Sequence, residues 1–116
     1  MYSNSTIVDQ FVNKWTTQVK KGTLDFVILL CLRKQRYYGY ELIIDIKQLL
    51  SFDIAEGTIY PLLNRLKTEG LVESEWVEMG SGIPRKYYKI TEKGKAVLSE
   101  MCRYWEDFNY SFKKLL

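Results

Sequence analysis

The segment that most restricts this chain runs Gly57-Thr58-Ile59-Tyr60-Pro61-Leu62-Leu63-Asn64-Arg65-Leu66 and closes on Glu69-Gly70-Leu71. Ile59, Leu62, Leu63 and Leu66 recur at helical spacing and mark one apolar face. Pro61 has no amide proton to donate and is tolerated only near a helix start, which places that start around residues 55–60. Gly70 supplies a left-handed stop. The periodicity then changes. Residues 71–79 and 85–91, rich in Val, Trp, Tyr and Ile, read as two short strands. Gly80-Ser81-Gly82-Ile83-Pro84 joins them in a loop too long for a two-residue turn. A helix pinned at both ends and followed at once by a hairpin leaves few arrangements open to the rest.

Upstream, Val8, Phe11, Trp15 and Val19 form a helical stripe on an amphipathic arm that needs a cover for its aromatic face. Gly22-Thr23 is expected to break this helix, with Thr23 capping a second one over about 24–34 and Asp25 in its first turn. That second helix is apolar nearly all round and reads as the buried centre. Tyr37-Tyr38-Gly39 reads as a turn. Leu42, Ile43, Ile46, Leu49 and Leu50 mark a third helix, linked through Ser51-Phe52-Asp53 to the fourth. Thr91 caps the last helix, where Leu98, Met101, Trp105, Phe108, Phe112 and Leu115 alternate by three and four as a coiled-coil seam. The expected order is four helices, two strands and a helix.

At 116 residues the chain supports one domain with a modest core. Its net charge of +3 says little about partners, so the placement of charge decides. Basic residues group at Lys14/Lys20/Lys21, Arg33/Lys34/Arg36 and Arg85/Lys86/Lys89, and acids at Glu73, Glu75 and Glu78. Taken alone, each basic group is a solvated face more often than a binding patch; the third differs in lying on the hairpin. Histidine is absent, and Cys31 and Cys102 lie far apart in apolar helical contexts. Zinc-finger spacing and His-based catalysis are thereby excluded, and two free buried thiols are expected. No enzyme, metal site or cofactor is predicted. The longest apolar run, Phe26 to Leu32, falls short of a membrane span, and Met1 to Asn4 lacks a signal-peptide start, so a cytoplasmic protein is expected.

Compact helices followed by a β-hairpin make the winged helix-turn-helix arrangement: mainly α with a small β-hairpin. In such proteins the later helix enters the major groove of DNA, N-terminal residues first. Glu56, Gly57, Thr58 and Tyr60 fall in its first turn, and Pro61, Asn64 and Thr68 lie opposite the leucine stripe. Asn64 suits an adenine edge, Thr58 and Tyr60 suit phosphates, and Arg65 suits a guanine or a phosphate. Arg85 and Lys86 of the hairpin suit the neighbouring backbone or minor groove. Winged helices also serve as protein–protein modules, and the residues alone leave that alternative open.

The chain resembles the PadR family of bacterial transcriptional regulators over nearly all of residues 20–116. The resemblance rests on Lys21-Gly22-Thr23-Leu24-Asp25, Tyr38-Gly39-Tyr40-Glu41-Leu42, Gly57-Thr58-Ile59-Tyr60-Pro61-Leu62-Leu63, Arg65-Leu66 and Glu69-Gly70-Leu71. Arg85-Lys86-Tyr87-Tyr88, running into Thr91-Glu92-Lys93-Gly94, completes it. It implies a homodimeric repressor of operator DNA and adds Tyr40 and Tyr88 to the expected DNA-binding residues. Within the family the chain is similar to the short class, with a single helix after the wing. That similarity divides the chain into an N-terminal dimerisation helix (1–20), a DNA-binding domain (21–91) and a C-terminal dimerisation helix (92–116).

In that class the first and last helices build the dimer interface, which agrees with the two apolar stripes found from the residues. Val8, Phe11 and Trp15 of one subunit are expected to cover Trp105, Phe108 and Phe112 of the other, with Leu98 and Met101 continuing the seam. Some short members hold flat aromatic compounds between tryptophans, which points to Trp15, Trp105 and Phe108 as an effector site. From the residues alone the same rings read as hydrophobic anchors.

Overall fold

A computed structural model describes residues 3–51, 53–80 and 82–116, with side chains of the first helix from Thr6 onward. Phe52 of the expected link and Ser81 of the expected loop lie outside the described residues. The order is α1 (Ser3–Lys34), β1 (Tyr37–Tyr38), α2 (Gly39–Leu50), α3 (Glu56–Thr68), β2 (Val72–Val77), β3 (Arg85–Ile90) and α4 (Glu92–Leu115). The chain is mainly helical, and its strands form one antiparallel sheet in the order β1-β3-β2.

Two expectations are corrected. The first helix does not end at Gly22-Thr23: α1 is continuous through 32 residues. A glycine inside a helix costs only about 1 kcal/mol relative to alanine, less than the gain from burying the apolar stretch that follows. Thr23 does not cap; its hydroxyl donates back to the Val19 carbonyl at 2.7 Å. Tyr37-Tyr38 is a strand and not a turn, pairing with Tyr88 and Tyr87 of β3.

The core gathers one face of each element. Ile28, Leu29 and Leu32 of α1 meet Leu42 and Ile46 of α2, Ile59, Leu63 and Leu66 of α3, and Val72, Tyr88 and Ile90 of the sheet. Leu98 of α4 is 1% exposed and belongs to this core. Its expected place in the dimer seam is therefore corrected: a partner cannot reach it. Core and seam positions share the same heptad spacing, so periodicity could not separate them. Cys31 is buried and Cys102 half-buried, both as free thiols, so the second falls short of the burial expected. Burial, reinforced by Asp45, pushes the Cys31 thiol up from its ordinary range.

The junctions follow local chemistry. At the end of α3 the Leu71 amide donates to Leu66 (2.9 Å) and the Gly70 amide to Lys67 (3.0 Å), a left-handed stop with Gly70 at φ 80°. Thr91 begins α4 as its hydroxyl donates to the Gly70 carbonyl (2.6 Å) and accepts from the Gly94 amide (2.9 Å). A β-carbon on Gly94 would overlap the Leu71 carbonyl oxygen, so the close approach of α4 to the α3–β2 junction requires glycine there. Among the described residues no helix is long and apolar enough to cross a membrane.

Candidate nucleic-acid interface

The helix-turn-helix is α2 and α3. Ile59, Leu63 and Leu66 bury one face of α3, which leaves Gly57, Pro61, Asn64 and Thr68 exposed on the opposite side. Ala55 starts the helix without a side-chain cap, and its carbonyl accepts from Thr58 (2.9 Å) and Ile59 (3.1 Å). Glu56, Gly57 and Thr58 of the first turn are exposed, as is Tyr40 on α2. Gly57, Thr58, Pro61 and Asn64 therefore present a common, open surface, with Tyr60 and Arg65 on its flanks.

The two flanks of that surface have different jobs. On one flank Tyr60 lies over Gly39, so close that a β-carbon there would overlap its ring. This contact packs the start of α2 onto α3. Burial, then the charge of Glu56, pushes the Tyr60 hydroxyl up from its usual range. On the other flank Arg65 pairs with Asp25 of α1, so the guanidinium expected to meet DNA is engaged within the chain. Thr58, Pro61, Leu62 and Arg65 line a small depression there together with Lys21, Leu24 and Asp25.

Strand alternation splits the wing. Arg85, Tyr87 and Lys89 point to one face of β3, and Lys86, Tyr88 and Ile90 to the other. Arg85 and Lys86, expected to act side by side, therefore serve opposite faces. On the outer face Arg85 lies over the Tyr38 ring at 4.4 Å and Arg36 over the Tyr87 ring at 4.5 Å, while the two rings meet edge to face at 5.5 Å. Arg36 also donates to the Glu75 carboxylate at 3.0 Å. The inner face continues the core. Tyr88 is 6% exposed, so its expected contact with DNA is corrected: its ring supports the wing from within. Burial, with Tyr60 nearby, pushes its hydroxyl up.

Arg36, Tyr38 and Tyr87 were not among the expected site residues. The signal that could have found them is Tyr37-Tyr38 read as an aromatic strand opposite Tyr87-Tyr88.

A second surface lies between α1 and α4. Trp15, Val19 and Phe26 of α1 face Met101, Trp105 and Phe108 of α4 across an almost wholly apolar groove of about 990 Å³. The rings run in sequence: Phe26 to Trp105 at 6.1 Å, Trp105 to Phe108 at 6.2 Å, and Phe108 to Phe112 at 4.3 Å. Trp15 and Trp105, expected to meet across two subunits, line one groove of a single chain. Phe11 (71% exposed) and Val8 continue the α1 stripe outward.

A family profile described as Transcriptional regulator PadR-like family matches residues 28–100. The PadR family transcriptional regulator of Eggerthella lenta is 35% identical, with 95% of this chain and 96% of that one covered at a TM-score of 0.84. A PadR-like transcription factor from Bacteroides fragilis is 39% identical over 89% of this chain and 99% of its own, at a TM-score of 0.75. A protein named as a transcriptional regulator in Mycobacterium tuberculosis is 38% identical over 56 residues, 48% of this chain and 51% of its own.

Proposed function

Since the chain belongs to the PadR-like family of transcriptional regulators, we propose that it is a cytoplasmic, homodimeric repressor that binds operator DNA through α3 and the wing. One observation carries this reading: an uncovered α3 surface of Gly57, Thr58, Pro61 and Asn64, flanked by a wing that bears Arg85 and Lys86. The exposed side chains and the first-turn amides serve bases and phosphates, and the lysine and arginine serve the backbone.

The groove supports the dimer. An apolar surface of this size in water is unfavourable, and Phe11, Trp15, Trp105 and Phe112 present it continuously. The arm and α4 of a second copy provide the matching apolar cover. A small planar aromatic effector between Trp15, Trp105 and Phe108 belongs to the same proposal. Glu100, the charged residue on that lining, is already paired with Arg103 at 3.1 Å, so the rings set the preference for a flat ligand. Saturable quenching of Trp fluorescence by planar cationic dyes, set against phenolic acids, tests it; no response from either would leave the rings as interface packing.

The test of the main reading is a gel-shift titration on the promoter of the protein's own operon, with excess competitor, at ~50 and ~200 mM salt. A shift that survives competitor and weakens ~10³-fold or more with salt is expected of a dimer making several phosphate contacts. A shift lost to competitor at both salts would overturn operator recognition and point to a protein-binding winged helix.

A further inference from the structure

Trp76 is 68% exposed on β2, the largest side chain of the wing and one that the core does not use. It lies on the inner face of the sheet, in register with Lys86 and on the same side as Val72 and Tyr88. Those two are buried against the helices, whereas Trp76 lies further out along the hairpin, beyond the reach of the core. The Lys86 ammonium stands between two rings, 5.8 Å from Trp76 and 5.8 Å from Tyr88. Tyr88 itself is buried on the core side of Lys86. Lys86 and Trp76 thus carry the inner face of the wing outward past the edge of the core.

We propose that Trp76 is a direct DNA contact, laying its indole face on a deoxyribose of the strand that borders the α3 groove, with Nε1–H donating to a phosphate oxygen. This rests on the operator-binding reading and names a residue that the basic motif does not include. The chemistry separates Trp76 from Lys86. A neutral ring that covers a sugar adds affinity through apolar contact and a hydrogen bond, and releases no counterion. Lys86 acts by neutralising a phosphate and releases one.

The experiment is a salt titration of operator binding by the full chain, from ~50 to ~200 mM, for wild type, Trp76→Ala, Trp76→Phe and Lys86→Gln. Trp76→Ala is expected to weaken binding about tenfold at every salt with the slope unchanged, and Trp76→Phe to lose less because it keeps a ring. Lys86→Gln is expected to flatten the slope of log K by about 0.9 per subunit engaged. A Trp76→Ala slope flattened like that of Lys86→Gln would overturn the proposal, because the indole would then be only a shelf for the lysine. Unchanged affinity would overturn it as well.

A variant carrying Trp15→Phe and Trp105→Phe leaves Trp76 as the sole tryptophan of the three. Its emission should change on adding operator duplex, and a silent Trp76 in a protein that binds would again overturn the contact. Failure of wild type to bind the operator at either salt would overturn the regulator reading itself, and is thus told apart from a failure at Trp76 alone.

Discussion

Arg65 of α3 donates to the carboxylate of Asp25 on α1, 40 residues away in sequence, across one flank of the exposed α3 surface. The two side chains are 56% and 34% exposed, so the pair is solvated and its contribution to stability is small. Its importance is positional. A double-mutant cycle with Asp25→Asn and Arg65→Gln is expected to give a coupling within ~1 kcal/mol in urea unfolding. In operator binding, Asp25→Asn removes the competitor for the guanidinium, so affinity should hold or rise, whereas Arg65→Gln should lower it. Equal loss from both substitutions would show that the pair holds α3 in place and that Arg65 makes no contact of its own.

Phe108 is 41% exposed, with Tyr104 at 5.6 Å on one side and Phe112 at 4.3 Å on the other. A carboxylate in the middle of this aromatic row would have to be desolvated by an incoming partner. Phe108→Glu is expected to weaken self-association on the order of 100-fold, about 2.7 kcal/mol. Sedimentation velocity checks it, and an unchanged dimer would move the interface elsewhere.

Two glycines should respond to alanine with opposite sign. Gly94→Ala drives a methyl into the Leu71 carbonyl oxygen and within 2.7 Å of Ile90 Cγ1, for an expected loss of about 1–3 kcal/mol. Gly22 has nothing within 4 Å of an added β-carbon and lies inside α1, so Gly22→Ala should gain about 1 kcal/mol. Thermal melts of the two variants give both signs directly.

Tyr37 donates to Asp45 Oδ2 at 2.6 Å, and burial together with this bond pushes its hydroxyl well above the ordinary tyrosine range. A raised folded-state value means stability is full below the unfolded value of about 10 and is lost as pH rises through the folded one. Tyr60 and Tyr88 are shifted the same way and add to the effect. Unfolding free energy should therefore fall above about pH 10, with the raised Cys31 thiol starting the decline about a unit lower. Tyr37→Phe should cost about 1.5–3 kcal/mol at neutral pH and flatten the alkaline decline. Urea titrations at about pH 8 and about pH 11 check both.

Local chemistry was legible and distant partnership was not. Pro61, Gly70 and Thr91 act on their immediate neighbours, so α3, its stop and the start of α4 could be read from residue types alone. The uncovered face of α3 follows from the same periodicity that buries Ile59, Leu63 and Leu66. The partner of Arg65 could not be read, because nothing near Arg65 in sequence announces Asp25. Tyr37-Tyr38 escaped because two residues are too few to show alternation. The assumed break at Gly22 weighed one helix-breaking residue above the apolar stretch around it.

The continuity of α1 has a thermodynamic consequence. At 1.5 Å per residue its 32 residues form a rod of about 48 Å that carries Phe11 and Trp15 near one end and the buried Ile28 and Leu32 near the other. Whatever clasps the outer end also props the inner one, since cutting at residue 21 would sever helical hydrogen bonds and free no separable module. In the proposed dimer, subunit docking and tertiary melting become a single transition, and the temperature at which the protein unfolds should climb with its own concentration.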